Sequence, residues 1–172
     1  MSVTAPAPEP IPASGRVVGL DLGSRRIGLA VSDGDQRVAS PVTAVQRSAG
    51  SGVDRARLGR IVSEYEAVGV VAGLPRSLSG AIGPAARLAL DELALLGPQL
   101  GVPVETVDER LTTVAAASAL RAAGRPTRRQ REVVDATAAA LILQSWLDRR
   151  LAERARGAPG AARAGRAAGG GA

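Results

Sequence analysis

Val17-Val-Gly-Leu-Asp-Leu-Gly-Ser-Arg-Arg-Ile-Gly-Leu-Ala-Val-Ser-Asp33 reads as two short strands folded back on each other. The apolar run from Val17 admits a single carboxylate, Asp21, and stops at Gly23, the pattern of a buried strand that ends in a turn. Gly23, Ser24 and Arg25 lead into a second apolar run from Arg26 to Asp33, and Val38 to Val45 supplies a third strand that closes a meander. Downstream the period changes. Leu58, Ile61, Val62 and Tyr65 recur at helical spacing after Asp54, and Val68 to Gly73 is a buried strand interrupted by Leu74-Pro75. Pro84 suits the first position of a second helix that Gly97-Pro98 should end. Val102 to Val107 forms the fifth strand and runs into Asp108, Glu109 and Arg110. A short helix is expected from Thr112 to Ala123, stopping at Gly124. Thr127-Arg-Arg-Gln130 has the residues of a capping box, with the Thr hydroxyl and the Gln side chain each serving the other's backbone N–H, and so opens the last helix. The order is β-β-β-α-β-α-β-α-α: an α/β fold with a five-stranded mixed sheet, its first three strands antiparallel, flanked by helices because the Val-rich strands need cover on both faces.

The 172 residues suit one domain. Residues 15–150 hold the patterned elements. The Pro-rich residues 1–14 and the Arg/Ala/Gly-rich residues 151–172 are compositionally unable to pack a core and are expected to be disordered. No apolar stretch approaches the ~20 residues that span a bilayer, and the opening residues do not have the charged start and apolar run of a secretory signal. A cytoplasmic protein with no membrane partner is the expectation.

Several chemistries are absent at the outset. The chain has no Cys and no His, and its 22 basic residues are all Arg. Thiol and imidazole nucleophiles, zinc sites, Schiff bases and a Lys-bearing phosphate loop are excluded, and any metal must be held by oxygen. With one Trp, one Tyr and no Phe, there is almost no aromatic surface on which unpaired bases could stack. Residues 149–172 carry a net charge of +5, which could grip a polyanion or serve as a solvated extension.

Three acidic positions stand out. Asp21 ends the first strand, Asp108 or Glu109 ends the fifth, and Asp135 lies among Val133, Val134, Ala138 and Ala139 on a helix that should pack on the sheet. Taken singly, Asp21 could be a turn residue, Asp108 could pair with Arg110 or cap the next helix, and Asp135 could pair with Arg131. Taken together they are apolar-framed carboxylates that need cations, and Mg²⁺ or Mn²⁺ is the ion that oxygen ligands and substrate phosphate share. Two such ions hydrolyse phosphodiesters without His, Cys or Lys.

The hairpin string from Gly19 to Asp33 resembles the first hairpin of the YqgF family, also called RuvX, within the RNase H-like superfamily. Val70-Val-Ala-Gly-Leu-Pro75 with Gly80 and Gly83, Val107-Asp-Glu-Arg-Leu-Thr-Thr113, and Val134-Asp-Ala-Thr-Ala-Ala-Ala-Leu-Ile-Leu-Gln144 follow in the family's order. The resemblance implies an RNase H-like domain and a metal-dependent nuclease that matures the 5′ end of pre-16S rRNA in ribosome biogenesis or, as its relatives do, resolves Holliday junctions. It also implies Asp21, Glu109 and Asp135 as catalytic and metal-binding carboxylates, with Asp108 the competitor for Glu109 because adjacent strand residues face opposite sides. Arg26 and Arg110 could contact phosphate or form structural ion pairs. Arg125, Arg128 and Arg129, with Arg121 and Arg131, could hold the backbone beside the cut or make an exposed charged loop. Gly23, Gly73 and Gly80 suit tight turns. The partner is nucleic acid, pre-rRNA or branched DNA, with a homodimer as candidate assembly.

Two other classes compete. An actin-like ATPase or sugar kinase also opens on Asp-x-Gly and a strand, but needs two lobes and far more chain. A non-catalytic nucleic-acid-binding module would keep the fold with an idle metal site.

Overall fold

The computed structural model describes residues 9–48, 51–75, 83–108 and 127–157. Five strands, β1 (Val17–Leu22), β2 (Arg26–Ser32), β3 (Ala39–Gln46), β4 (Gly69–Leu74) and β5 (Val104–Asp108), form one sheet in the order β3-β2-β1-β4-β5. β1 to β3 are antiparallel neighbours, while β4 and β5 run parallel to β1. The described helices are α1 (Ser51–Glu64), α2 (Pro84–Leu100) and α3 (Arg128–Gly157). The mixed sheet and its antiparallel meander agree with the pattern of apolar runs. The helix expected from Thr112 to Ala123 lies outside the described residues.

Strand alternation sorts the core into two layers. Val18, Leu20, Ile27, Leu29, Val70 and Ala72 face α1 and α2, meeting Leu58, Val62, Leu93, Leu96 and Leu100. Val17, Ala30, Val71 and Val107 face the opposite way, against Ala139, Ile142, Leu143, Trp146 and Leu147 of α3. Along this second layer the sheet presents small residues to α3. A Cβ on Gly19 would lie 2.7 Å from Leu143 Cβ, and a Cβ on Gly28 would lie 2.0 Å from the carbonyl oxygen of Asp135. The backbone of α3 thus rests almost directly on β1 and β2, a separation that no larger residue permits.

Some boundaries depart from the sequence pattern. Gly97-Pro98 does not stop α2, which continues to Leu100 and ends where Gly101 turns left-handed at φ 66°. Pro98 removes one helical N–H, yet Leu96 and Leu100 are both buried, and their packing holds the last turn in place. α1 starts at Ser51, ahead of Asp54. The Asp54 carboxylate reaches back to accept the Ser48 N–H at 3.0 and 3.2 Å. β5 starts two residues later than its apolar run suggests. The capping box of α3 forms as read: Thr127 N–H donates to Gln130 Oε1 at 2.7 Å, and Gln130 N–H donates to Thr127 Oγ1 at 3.3 Å.

The expectation of disorder across residues 1–14 and 151–172 is corrected for residues 9–14 and 151–157. Ile11 is buried against Gly69, whose missing side chain makes the space for it. Ile11 N–H donates to Glu105 Oε1, and Glu105 Oε2 accepts from Trp146 Nε1. Gln36, buried in a left-handed turn at φ 56°, donates its amide to the carbonyls of Pro12 and Gly15. α3 runs on to Gly157, and its Arg150 and Arg154 donate to the carbonyls of Ile11, Pro12 and Ala13. Composition missed this because a single buried Ile and two Arg side chains anchor an otherwise unremarkable Pro-rich stretch. Arg150 also lies 4.6 Å from the Trp146 ring centre, and its loss of solvent there lowers its pKa.

Candidate active site

β1 and β4 run parallel, and the carboxyl end of β1 carries Asp21. Val17 and Gly19 face α3, so alternation turns Asp21 to the same side. Its direct partner across the antiparallel pair is Gly28, at a Cα separation of about 5 Å in such ladders. Gly28 is the residue on which the α3 backbone at Asp135 and Ala136 rests. Asp21 and Asp135, 114 positions apart in the chain, are therefore neighbours around one bare backbone position. Each is only 7% exposed. A side chain on Gly28 would collide with the α3 backbone at Asp135.

Arg26 opens β2 on the same face as Gly28 and Ala30, and its Nε donates to Asp135 Oδ2 at 2.5 Å. Among the described residues, Asp135 of α3 pairs with Arg26 of β2 rather than with Arg131. The fork of Arg26 thus compensates a carboxylate that would otherwise be costly to bury.

Asp108 falls on the other side. It closes β5 opposite Leu74, one residue after Val107. Val107 packs in the α3 layer, whereas Val104, Leu74 and Asp108 alternate toward α1 and α2. β5 alternation therefore aims Asp108 away from the face that carries Asp21 and Asp135. Glu109, Arg110, Arg121 and Arg125 lie outside the described residues, as does Gly80. Arg128 and Arg129 open α3 and are exposed; Arg128 Nε lies 3.3 Å from Glu132 Oε1, an i,i+4 surface pair. Arg131 is exposed in the same turn.

Three supporting residues escaped the reading of the sequence. Arg47, just beyond β3, donates from Nε to the carbonyl of Gly23 at 2.7 Å and through both terminal nitrogens to Glu92 of α2, at 2.7 and 2.9 Å. Its own N–H donates to the Arg25 carbonyl. The turn between Asp21 and Arg26 is thereby tied to α2. The hydrogen-bonded Glu92 carboxylate raises the Arg47 pKa against the opposing effect of burial, and the negative charges of Glu92 and Asp54 add to the rise. Nothing local marks this pair, which spans 45 positions. Gly28 did carry a signal, because an isolated Gly inside an apolar strand points to close backbone approach.

The residue types suit a hard divalent cation: oxygen groups only, nine-tenths removed from water, with a cationic side chain on Asp135. Among the described residues no group of three or more carboxylates is placed to hold an ion; Asp21 and Asp135 are the two buried acids on this face.

A family profile described as RuvX, Holliday junction resolvase, matches residues 15–149. A protein named "Putative pre-16S rRNA nuclease" from Mycobacterium sp. (strain KMS) is 49% identical over 150 residues, spanning 87% of this chain and 88% of that protein. One of the same name from Anaeromyxobacter dehalogenans (strain 2CP-C) is 50% identical over 135 residues, spanning 78% of this chain and 98% of that protein. Among solved structures, Thermus thermophilus RuvC in complex with Holliday junction substrate superposes with a TM-score of 0.51 at 18% identity, over 80% of this chain and 96% of that one. The RNase H-like architecture expected from the hairpin is the one observed.

Proposed function

This chain belongs to the RuvX family, and on that footing we propose that it is a divalent-cation-dependent endonuclease that cuts structured nucleic acid, with the 5′ end of pre-16S rRNA as its substrate. The observation that supports the reading is the burial of Asp21 and Asp135 on one face of the sheet, with the α3 backbone at Asp135 seated on Gly28, the strand partner of Asp21. Carboxylates so placed are of little use to a core and suited to cation binding.

Asp21 and Asp135 would hold the cation, Mg²⁺ or Mn²⁺, with Glu109 as the third ligand; Asp108, turned to the other face, is the weaker candidate. A bound cation of this kind supplies a more acidic water and neutralises charge on the phosphate under attack. The remaining work falls to the protein's own groups. Arg47 and Glu92 fix the turn after Asp21, so the carboxylate is presented without reorganisation. Arg26, at the rim, is within reach of phosphate as well as of Asp135. Arg128 and Arg129, with Arg110 and Arg125, would grip the backbone on either side of the cut. Recognition by backbone and shape fits a chain with two aromatic residues.

The family profile's description favours a second reading, in which the substrate is a four-way DNA junction. Symmetric cutting of a junction needs two active sites, so that reading brings a homodimer with it. No helix among the described residues is long and apolar enough to cross a membrane.

The test is cleavage of a pre-16S 5′-leader RNA, a four-way junction and single strands by purified protein in Mg²⁺ and Mn²⁺, with and without EDTA. Asp21→Asn and Asp135→Asn should each lower cleavage at least about a hundredfold while the protein still melts cooperatively. Undiminished cleavage by Asp21→Asn, or cleavage indifferent to EDTA, refutes the proposal. Preference for the junction over the RNA selects the second reading.

A further inference from the structure

The guanidinium of Arg26 already neutralises a carboxylate that the proposed cation would need. Arg26 Nε and Asp135 Oδ2 are 2.5 Å apart, and the two side chains differ in access to water, 21% exposed for Arg26 and 10% for Asp135. Asp135 is held in a helix whose backbone is seated on Gly28, so it has little room to move. Arg26 is a long side chain at the first residue of a strand, next to the turn of residues 23 to 25, and is the more exposed of the two partners. A divalent cation on Asp135 and a guanidinium a few ångströms away repel each other, strongly so in a site largely shut off from water. Of the two partners, Arg26 is the one able to yield.

Resting on the reading of Asp21 and Asp135 as cation ligands, we propose that Arg26 and the divalent cation compete for Asp135, and that the displaced guanidinium turns to a phosphate oxygen of the nucleic acid. Arg26 then has two successive roles. Before the cation arrives it compensates Asp135, keeping the carboxylate pocket intact. Afterwards it presents its planar fork of donors at the rim, where the geometry of phosphate matches it. Cation binding and substrate binding become linked through one side chain, and each must strengthen the other by the same factor. A purely structural Arg26 makes the opposite demand on the cation: loss of the ion pair would disorder Asp135 and weaken binding.

The two roles separate in a titration that does not depend on turnover. Mn²⁺ binding to the full chain is measured by calorimetry for wild type, Arg26→Gln, Arg26→Lys and Asp135→Asn, with circular dichroism melts to confirm that each is folded. Arg26→Gln should bind Mn²⁺ about tenfold more tightly than wild type, the size expected for removing a half-buried competitor. Arg26→Lys keeps a charge and should stay near wild type, while Asp135→Asn loses binding. Anisotropy of a fluorescent RNA hairpin in Ca²⁺ supplies the second arm: wild type should bind the hairpin more tightly with the cation than without it, and Arg26→Gln should lose that gain. Equal or weaker Mn²⁺ binding by folded Arg26→Gln overturns the competition. Absence of Mn²⁺ binding by both wild type and Arg26→Gln overturns the cation reading itself, and the competition falls with it.

Discussion

Replacing Gly28 by Ala is the sharpest probe of how the carboxylates are brought together. The added Cβ would sit 2.0 Å from the Asp135 carbonyl oxygen, 2.6 Å from its carbonyl carbon and 3.4 Å from the Ala136 nitrogen. These are backbone atoms of a helix and cannot rotate aside. To restore even a 3.0 Å contact, α3 must lift from the sheet by about 1 Å at Asp135. Overpacking of this kind costs about 2 kcal/mol, which corresponds to a fall in Tm of roughly 4–8 °C for a chain of this length. The same displacement carries Asp135 away from Asp21, and an error of ~1 Å in placing a reacting group can lower the rate about a hundredfold. The assay pairs a calorimetric melt with single-turnover cleavage of the preferred substrate. Ala30→Gly is the control: it lies on the same face of β2 and is fully buried, so it should lose roughly 1–2 kcal/mol of stability with cleavage little changed. If Gly28→Ala keeps wild-type Tm and rate, or loses no more activity than Ala30→Gly, the close approach of α3 does not set the site.

Two further outcomes follow from charged groups outside the carboxylate pocket. Arg47→Met leaves Glu92 half-buried beside an apolar chain and the Gly23 carbonyl without its donor; a loss of about 2 kcal/mol is expected by denaturant unfolding, and Arg47→Met/Glu92→Met should recover part of it. A strictly additive double variant would show that the pair is not coupled. Asp33 accepts the N–H groups of Arg37 and Val38 at 2.7 and 3.0 Å, and these bonds, led by that of Val38, lower its pKa from the ordinary 3.8. Its charge therefore favours the folded state above that ordinary value, and the benefit fades as pH falls through the lowered folded-state pKa. The Tm difference between wild type and Asp33→Asn should be present near neutrality and vanish at strongly acid pH, and a difference constant with pH would remove the ionised carboxylate from the explanation.

Much of the architecture was legible because it depends on local chemistry. The apolar runs around Val17, Ile27 and Val70 declare buried strands, and Thr127 with Gln130 declares a helix start, since each signal is complete within a few residues. Local signals failed where packing overruled them. Pro98 should end a helix, but Leu96 and Leu100 bury and carry α2 past it. Residues 9–14 read as a disordered lead-in, but Ile11 fills the space left by Gly69 and Arg150 and Arg154 bind the backbone beside it. The direction in which Asp108 alternates depends on the pairing of β5 with β4, which no local pattern gives, and its neighbour Glu109 lies outside the described residues.

Residue types and their order were enough to exclude thiol, imidazole and lysine chemistry, to assign the mixed sheet, and to single out Asp21 and Asp135 as acids in apolar surroundings. Which of their neighbours would share the pocket was decided only by folding. Arg26 rather than Arg131 meets Asp135, and Arg47 reaches Glu92, because α3 packed on the sheet and α2 packed beneath it bring together positions that no local periodicity links. The physical reason is that an ion pair depends on distance in space, and for Arg26 and Asp135 that distance is set by how closely α3 can lie on Gly28.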